Sequence, residues 1–110
     1  MSQTIGLTED VTIYGKKEIG LKARIDTGAT ASSLDIELSD ELCLGPITRQ
    51  KRVRSAHGTM LRPVVECEIL LAGRRIKGEF TLANRKHMKY KMLIGQNILR
   101  DGFLIDPSRE

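Results

Sequence analysis

The residues best suited to chemistry are Asp26-Thr27-Gly28, which close an extended run with Ile19, Leu21, Ala23 and Ile25 on one face. Asp is disfavoured inside sheets, and a buried carboxyl must be paired or protonated. An Asp ending such a strand therefore needs a reason. Gly28 permits a tight backbone whose N–H comes close to the carboxylate, and the Thr27 hydroxyl can bond to neighbouring main chain. The chemistry on offer is that of a carboxyl group held in a fixed place. The alternative is an Asx-type turn in which Asp26 only caps its own loop.

Other reactive types offer less. Ser32, Ser33 and Asp35 have no His adjacent in sequence and read as loop and strand polarity. His57 and His87 are thirty residues apart, HExxH is absent, and Cys43 and Cys67 have the wrong spacing for zinc. No phosphate-binding GxxxxGK[ST] loop occurs. Neither a metal nor a cofactor is expected, and activity should survive a chelator. Cys67, inside an alternating strand, reads as a buried thiol.

The elements that must position Asp26 follow from alternation. Val11–Tyr14 and Ile19–Ile25 form a hairpin turning at Gly15-Lys16-Lys17-Glu18. Val65, Cys67, Ile69 and Leu71 alternate with Glu66 and Glu68, then turn at Ala72-Gly73 into a strand carrying Ile76, Gly78, Phe80 and Leu82. A third hairpin links Thr48–Ser55 to Met60–Leu71 through Ala56-His57-Gly58-Thr59, and its first arm is rich in Arg and Lys. A basic loop spans Ala83–Lys91, Met92–Gly95 is a short buried strand, and Gln96–Arg100 fits one helical turn. Phe103–Ile105 is a last strand, ended by Asp106-Pro107. The expectation is a small, mostly antiparallel all-β domain with one short helix, spanning residues 1–110 as a single unit.

The segment Ala23–Leu34 resembles the active-site segment of retropepsins, an apolar strand followed by Asp-Thr-Gly-Ala and a short loop into another strand. Met92-Leu93-Ile94-Gly95-Gln96-Asn97-Ile98-Leu99 resembles that fold's second hallmark, two apolar residues and a Gly leading into a short helix. Between them, the hairpin Thr48–Leu71 occupies the place of the flap that closes over substrate. Arg62-Pro63 and the ending Gly102–Pro107 are similar to a cytoplasmic branch of this fold long labelled ATP-dependent zinc proteases. That resemblance implies a closed barrel with a flap hairpin, and an association with ATP-grasp ligases that add glutamates to protein or cofactor tails.

The resemblance also implies an aspartic endopeptidase in which Asp26, Thr27 and Gly28 form half of a catalytic site. Two carboxylates must share one proton, so a chain with one such motif needs a second copy across a two-fold axis. Substrate contacts are then expected from Arg24, Ala29 and Leu93, and from the flap residues Arg54, His57, Gly58 and Arg62. Gln96 stands where retroviral enzymes carry an Arg, and Thr30-Ala31 replaces the acid that Arg pairs with, so both halves of that ion pair are absent. Arg24 lies two residues before Asp26 on the same strand face, about 7 Å away. An Arg there favours a carboxylate-bearing substrate, an acidic peptide or a glutamate-tailed protein.

Composition sets the rival readings. The 18 Lys+Arg outnumber the 14 Asp+Glu, for a net charge of +4, which suits an acidic partner without choosing one. Hydrophobic residues make up 40%, so a core of Val, Ile, Leu and Ala is within reach. A non-catalytic module that binds acidic peptides on the same fold is the alternative. Nucleic acid is not expected, because only Tyr90 lies near the basic clusters Arg49–Arg54 and Arg85–Lys91, and single-strand readers interleave aromatics for stacking. The N-terminal stretch lacks the features of a secretory signal, and no run is apolar enough to span a membrane, so a soluble, cytoplasmic protein is expected.

Overall fold

Strand alternation builds the molecule. In a computed structural model, which describes residues 2–56 and 58–110, the strand β6 (Gly58–Leu71) buries Val65, Cys67, Ile69 and Leu71 while Glu66 faces solvent. Its partner β7 (Arg74–Ala83) buries Phe80 and Leu82 from the other side of a two-residue turn. Ala72 and Gly73 have φ of 51° and 77°, the mirror-image turn that suits the twist of a hairpin. The hairpin of β2 (Thr8–Tyr14) and β3 (Glu18–Ile25) adds Val11, Ile13, Ala23 and Ile25 to the same core.

β4 (Ser32–Asp35) and β8 (Met92–Ile94) complete the barrel. The strand order runs β2-β3-β8-β4-β7-β6 and returns from β6 to β2, so six strands close on one another. β5 (Ile47–Ser55) pairs only with the first half of β6, and the two project from the barrel as a hairpin. β1 (Gln3–Ile5) lies parallel to β9 (Phe103–Ile105) as a separate two-stranded sheet.

Three elements differ from the sequence expectation. The flap turn is tighter than Ala56–Thr59, because Ser55 pairs directly with Gly58; His57 itself lies outside the described residues. β1 joins the fold through a short parallel pairing that alternation over three residues does not reveal. The helix α2 (Gln96–Leu99) has a companion, α1 (Ile36–Glu41). Asp35, which reads in sequence as plain polarity, is the reason. It is 1% exposed and caps α1, with its Oδ2 accepting from the Leu38 N–H at 3.3 Å. Six residues are too few for a helical period to stand out.

Both cysteines stand in apolar sequence contexts, yet only Cys67 is buried. Burial, with the Glu68 charge, pushes the Cys67 thiol up to about 11, while Cys43 is exposed. Iodoacetamide at pH 8 is therefore expected to label one site, Cys43, in the native protein and both after unfolding; native labelling of Cys67 would contradict the packing. Among the described residues, no helix is long and apolar enough to cross a membrane.

Candidate active site

The Asp26 loop is held from below by the ends of two strands and the start of a helix. The Asp26 N–H donates to the Ile94 carbonyl at 2.9 Å, extending the parallel pairing of β3 with β8 by one residue. Beyond it the chain turns. Asp26 Oδ1 accepts from the Gly28 N–H at 2.9 Å, and the Ala29 N–H donates to the Asp26 carbonyl at 3.3 Å. The carboxyl remains partly exposed, and Thr27 and Gly28 are exposed. One carboxylate oxygen is thus fixed by a backbone donor while the group stays open to solvent.

The start of α2 hooks onto the same loop. The Gln96 N–H donates to the Ala29 carbonyl at 2.8 Å, and its side-chain amide donates to the Thr27 carbonyl at 2.6 Å. Gln96 therefore supports the loop by a neutral hydrogen bond, where the retroviral pattern would use a charged Arg. Behind it, buried Ser32 accepts from the Gly95 N–H at 2.9 Å and donates to Asn97 Oδ1 at 2.7 Å. Asn97 donates on to the Glu79 carbonyl at 3.0 Å, and Thr81 donates to the Ser32 carbonyl at 3.1 Å. Gly95 packs so closely that an added Cβ would lie 2.3 Å from the Ala31 oxygen. A satisfied polar network of this kind fixes geometry as well as stability.

The expected substrate residues fall into two groups. Arg24 is exposed on β3, paired in register with Thr8 on one side and Leu93 on the other; Leu93 and Ala29 are partly buried. On the flap, Arg54 and Gly58 sit at the far end of the hairpin and Arg62 sits nearer the barrel, partly buried. Arg24 opens onto a groove of about 970 Å3 with an apolar side that includes Leu21 and Ile25. Lys22, Lys89 and Lys91 share the groove, against one acid, Glu110.

The basic loop Ala83–Lys91 contributes to the groove. Tyr90, Lys89 and Lys91 line it beside Arg24. Arg85 from the same loop is 8% exposed; its N–H donates to Asp35 Oδ1 at 2.8 Å and its Nε to the Tyr90 carbonyl at 2.9 Å. Burial, then the Arg62 charge, lower its pKa, Asp35 raises it, and Arg24 lowers it further. The only signal in the sequence was the density of Arg and Lys between residues 85 and 91.

Comparison with known proteins agrees with this architecture. The chain matches the RimB-like family, described as retropepsin-like aspartic endopeptidase RimB, over residues 35–110, a stretch that begins after the Asp26 loop. It is 28% identical over 80% of its length to a probable alpha-L-glutamate ligase of Shewanella pealeana, and 27% identical over 94% to one of Parasynechococcus marenigrum. The chain spans only about a quarter of these relatives, 25% and 28% of their lengths. Among solved structures, a Legionella pneumophila protein of unknown function superposes with a TM-score of 0.71 at 23% identity, covering 98% of this chain and 95% of the other. The simian foamy virus protease gives 0.64 at 18% identity (84% of this chain and 91% of that one), and an inhibitor-bound EIAV protease 0.63 at 24% (86% and 85%). The fold is thus that of retropepsin-like proteases, and the chain belongs to the RimB-like family of retropepsin-like aspartic endopeptidases.

Proposed function

We propose that residues 1–110 form one subunit of a dimeric aspartic endopeptidase that cuts acidic, glutamate-rich peptides. The observation that carries this reading is the Asp26 carboxylate itself, fixed by the Gly28 N–H yet open to solvent, at the end of a strand whose Arg24 and Ile25 line a groove rimmed by basic residues. Asp26, Thr27 and Gly28 supply the catalytic half-site, and Arg24, Ala29, Leu93 and the flap residues Arg54, His57, Gly58 and Arg62 meet the peptide.

Two copies bring two Asp26 carboxyls together. Close like charges cannot both ionise, so the pair holds one proton, as in aspartic proteases generally. The ionised member takes a proton from water as the water oxygen attacks the peptide carbonyl carbon. The neutral member gives its proton to the carbonyl oxygen, producing a neutral gem-diol. Collapse of that intermediate breaks the C–N bond as a proton passes to the leaving nitrogen. Both steps belong to the pair, so the pH dependence reports the dyad rather than either residue.

Specificity comes from charge. Among the described residues, the groove lined by Arg24 and Ile25 holds four cationic side chains against one acid, which draws an acidic peptide and disfavours a basic one. The glutamate ligase name of the longer relatives supports a glutamate tail as the natural target. Replacing Arg24 with Leu is expected to lower kcat/KM for a Glu-rich peptide about tenfold, the order of one charge-assisted hydrogen bond in a partly solvated site. The Gln-for-Glu version of the peptide should lose far less. Equal losses on both would remove Arg24 from specificity.

A further inference from the structure

One face of the barrel beside Asp26 carries an unused hydrogen-bonding group. The register aligns Arg24 with Leu93, Leu93 with Ser33 and Ser33 with Thr81, a row running across β3, β8, β4 and β7. Strand alternation sets this row on the opposite side from the core residues Ala23, Met92, Leu34 and Leu82. Ser33 is 8% exposed, yet its hydroxyl has no hydrogen-bond partner among the described residues. Its neighbour Ser32, by contrast, is engaged on every side. A buried hydroxyl left unpaired is costly, and a ligand group that reached this face would gain its bond.

The charge around Ser33 identifies the kind of partner. Asp35, two residues along the same face, takes the Arg85 N–H at 2.8 Å and so draws the basic loop over this part of the sheet. Arg85 is nearly buried, and the positive charges of Arg24 and Arg62 both act on it. Asp35 opposes them, but its two oxygens already accept the Leu38 and Arg85 N–H groups. The register adds geometry: Val64 pairs with Thr81 and so continues the row of Ser33, and Arg62 lies two residues before Val64 on the same face of β6, beside the row of Asp35. Cation surplus plus a free donor is the chemistry of an anion pocket.

We infer that Ser33 and Arg85, with Arg24 and Arg62, form a specificity pocket for the side-chain carboxylate of a substrate glutamate close to the cleaved bond. The position follows from Arg24, which ends the row two residues before Asp26. The inference rests on the acidic-peptide reading above and deepens it by naming the groups that discriminate Glu from Gln.

Ser33→Ala and Arg85→Gln test it, on a fluorogenic peptide with a Glu run and on versions with one Glu at a time changed to Gln. The wild type should prefer Glu strongly at one position near the cut. Arg85→Gln should lower the Glu-over-Gln ratio of kcat/KM there about tenfold, and Ser33→Ala about threefold. Because Ser33→Ala removes an unpaired buried group, its melting temperature should hold or rise. A role confined to packing predicts the reverse, a lower melting temperature with equal losses on both peptides, and that result overturns the pocket. So does an unchanged ratio in Ser33→Ala, which decides the matter even where Arg85→Gln fails to fold. If the wild type cleaves none of the peptides, the endopeptidase reading fails separately. Calorimetric titration of the Asp26→Asn protein with the Glu and Gln peptides then reads the pocket alone. Glu-selective binding weakened by Ser33→Ala sustains it, and binding indifferent to Ser33→Ala or to Glu overturns it.

Discussion

Replacing Asp26 with Asn is expected to reduce kcat for peptide cleavage at least ~1,000-fold, within the range for loss of acid–base catalysis, with little change in stability. The two halves of that expectation have different origins. The carboxylate accepts one structural hydrogen bond, from the Gly28 N–H at 2.9 Å, and an Asn side chain can accept the same bond through its own oxygen. Asp26 is also partly exposed, so replacing it leaves no stranded charge or cavity. An amide cannot take a proton from water or return one to the leaving nitrogen, and the shared proton of the dyad is lost. Melting temperature by circular dichroism checks the fold, and a quenched-fluorescence peptide checks the chemistry.

The same variant tests assembly. If each site needs an Asp26 from two chains, a tenfold excess of Asp26→Asn protein should capture most wild-type chains in inactive pairs. Activity should then fall to roughly a tenth after exchange, as random pairing dictates. A monomeric enzyme would ignore the excess. A protein whose cleavage survives in pure Asp26→Asn form is not an aspartic protease, and one that binds Glu peptides without cutting them is the non-catalytic module instead.

What the sequence made legible is set by how local each signal is. The chain from Ile19 to Ile25 alternates strictly, so the strand, its buried Ala23 and Ile25, and the turn at Asp26 could all be read from it. The same holds for Val65 to Leu71 and for the hairpin at Ala72-Gly73. Asp35 and Arg85 were not legible as a pair, because fifty residues separate them and the bond joins a side chain to a backbone N–H. Gln96 read as a missing ion pair, and only the fold shows it bonding to Thr27 across 69 residues. Ser33 was the hardest. A serine next to a serine gives no sign that Ser32 is fully bonded and Ser33 is not. Such distinctions arise from register, which pairs Ser33 with Leu93 and Thr81, rather than from neighbours along the chain.

Gly95 is the position where a single methyl group should do most damage to the fold. Its φ of −107° and ψ of −171° lie in extended space that alanine adopts freely, so backbone strain is not the issue. Contact is. An added Cβ would sit 2.3 Å from the Ala31 oxygen, 2.7 Å from the Ala31 carbonyl carbon and 2.8 Å from the Ala29 oxygen. All three are backbone atoms, so no side chain can swing aside. The Ala29 carbonyl also holds the Gln96 N–H, and the Ala29 N–H holds the Asp26 carbonyl, so relief at Gly95 moves the loop that carries the carboxylate. Gly95→Ala is expected to destabilise by about 3 kcal/mol or more, as overpacking against fixed main chain does, and to abolish cleavage even in molecules that fold. Gly20→Ala is the matched control, since its Cβ would meet nothing within 4 Å. By limiting the unfolded chain it should be neutral or stabilising by up to ~1 kcal/mol. Urea denaturation of both variants separates the cases. A Gly95→Ala protein as stable as Gly20→Ala would mean that the Asp26 loop does not pack against the start of α2 as described.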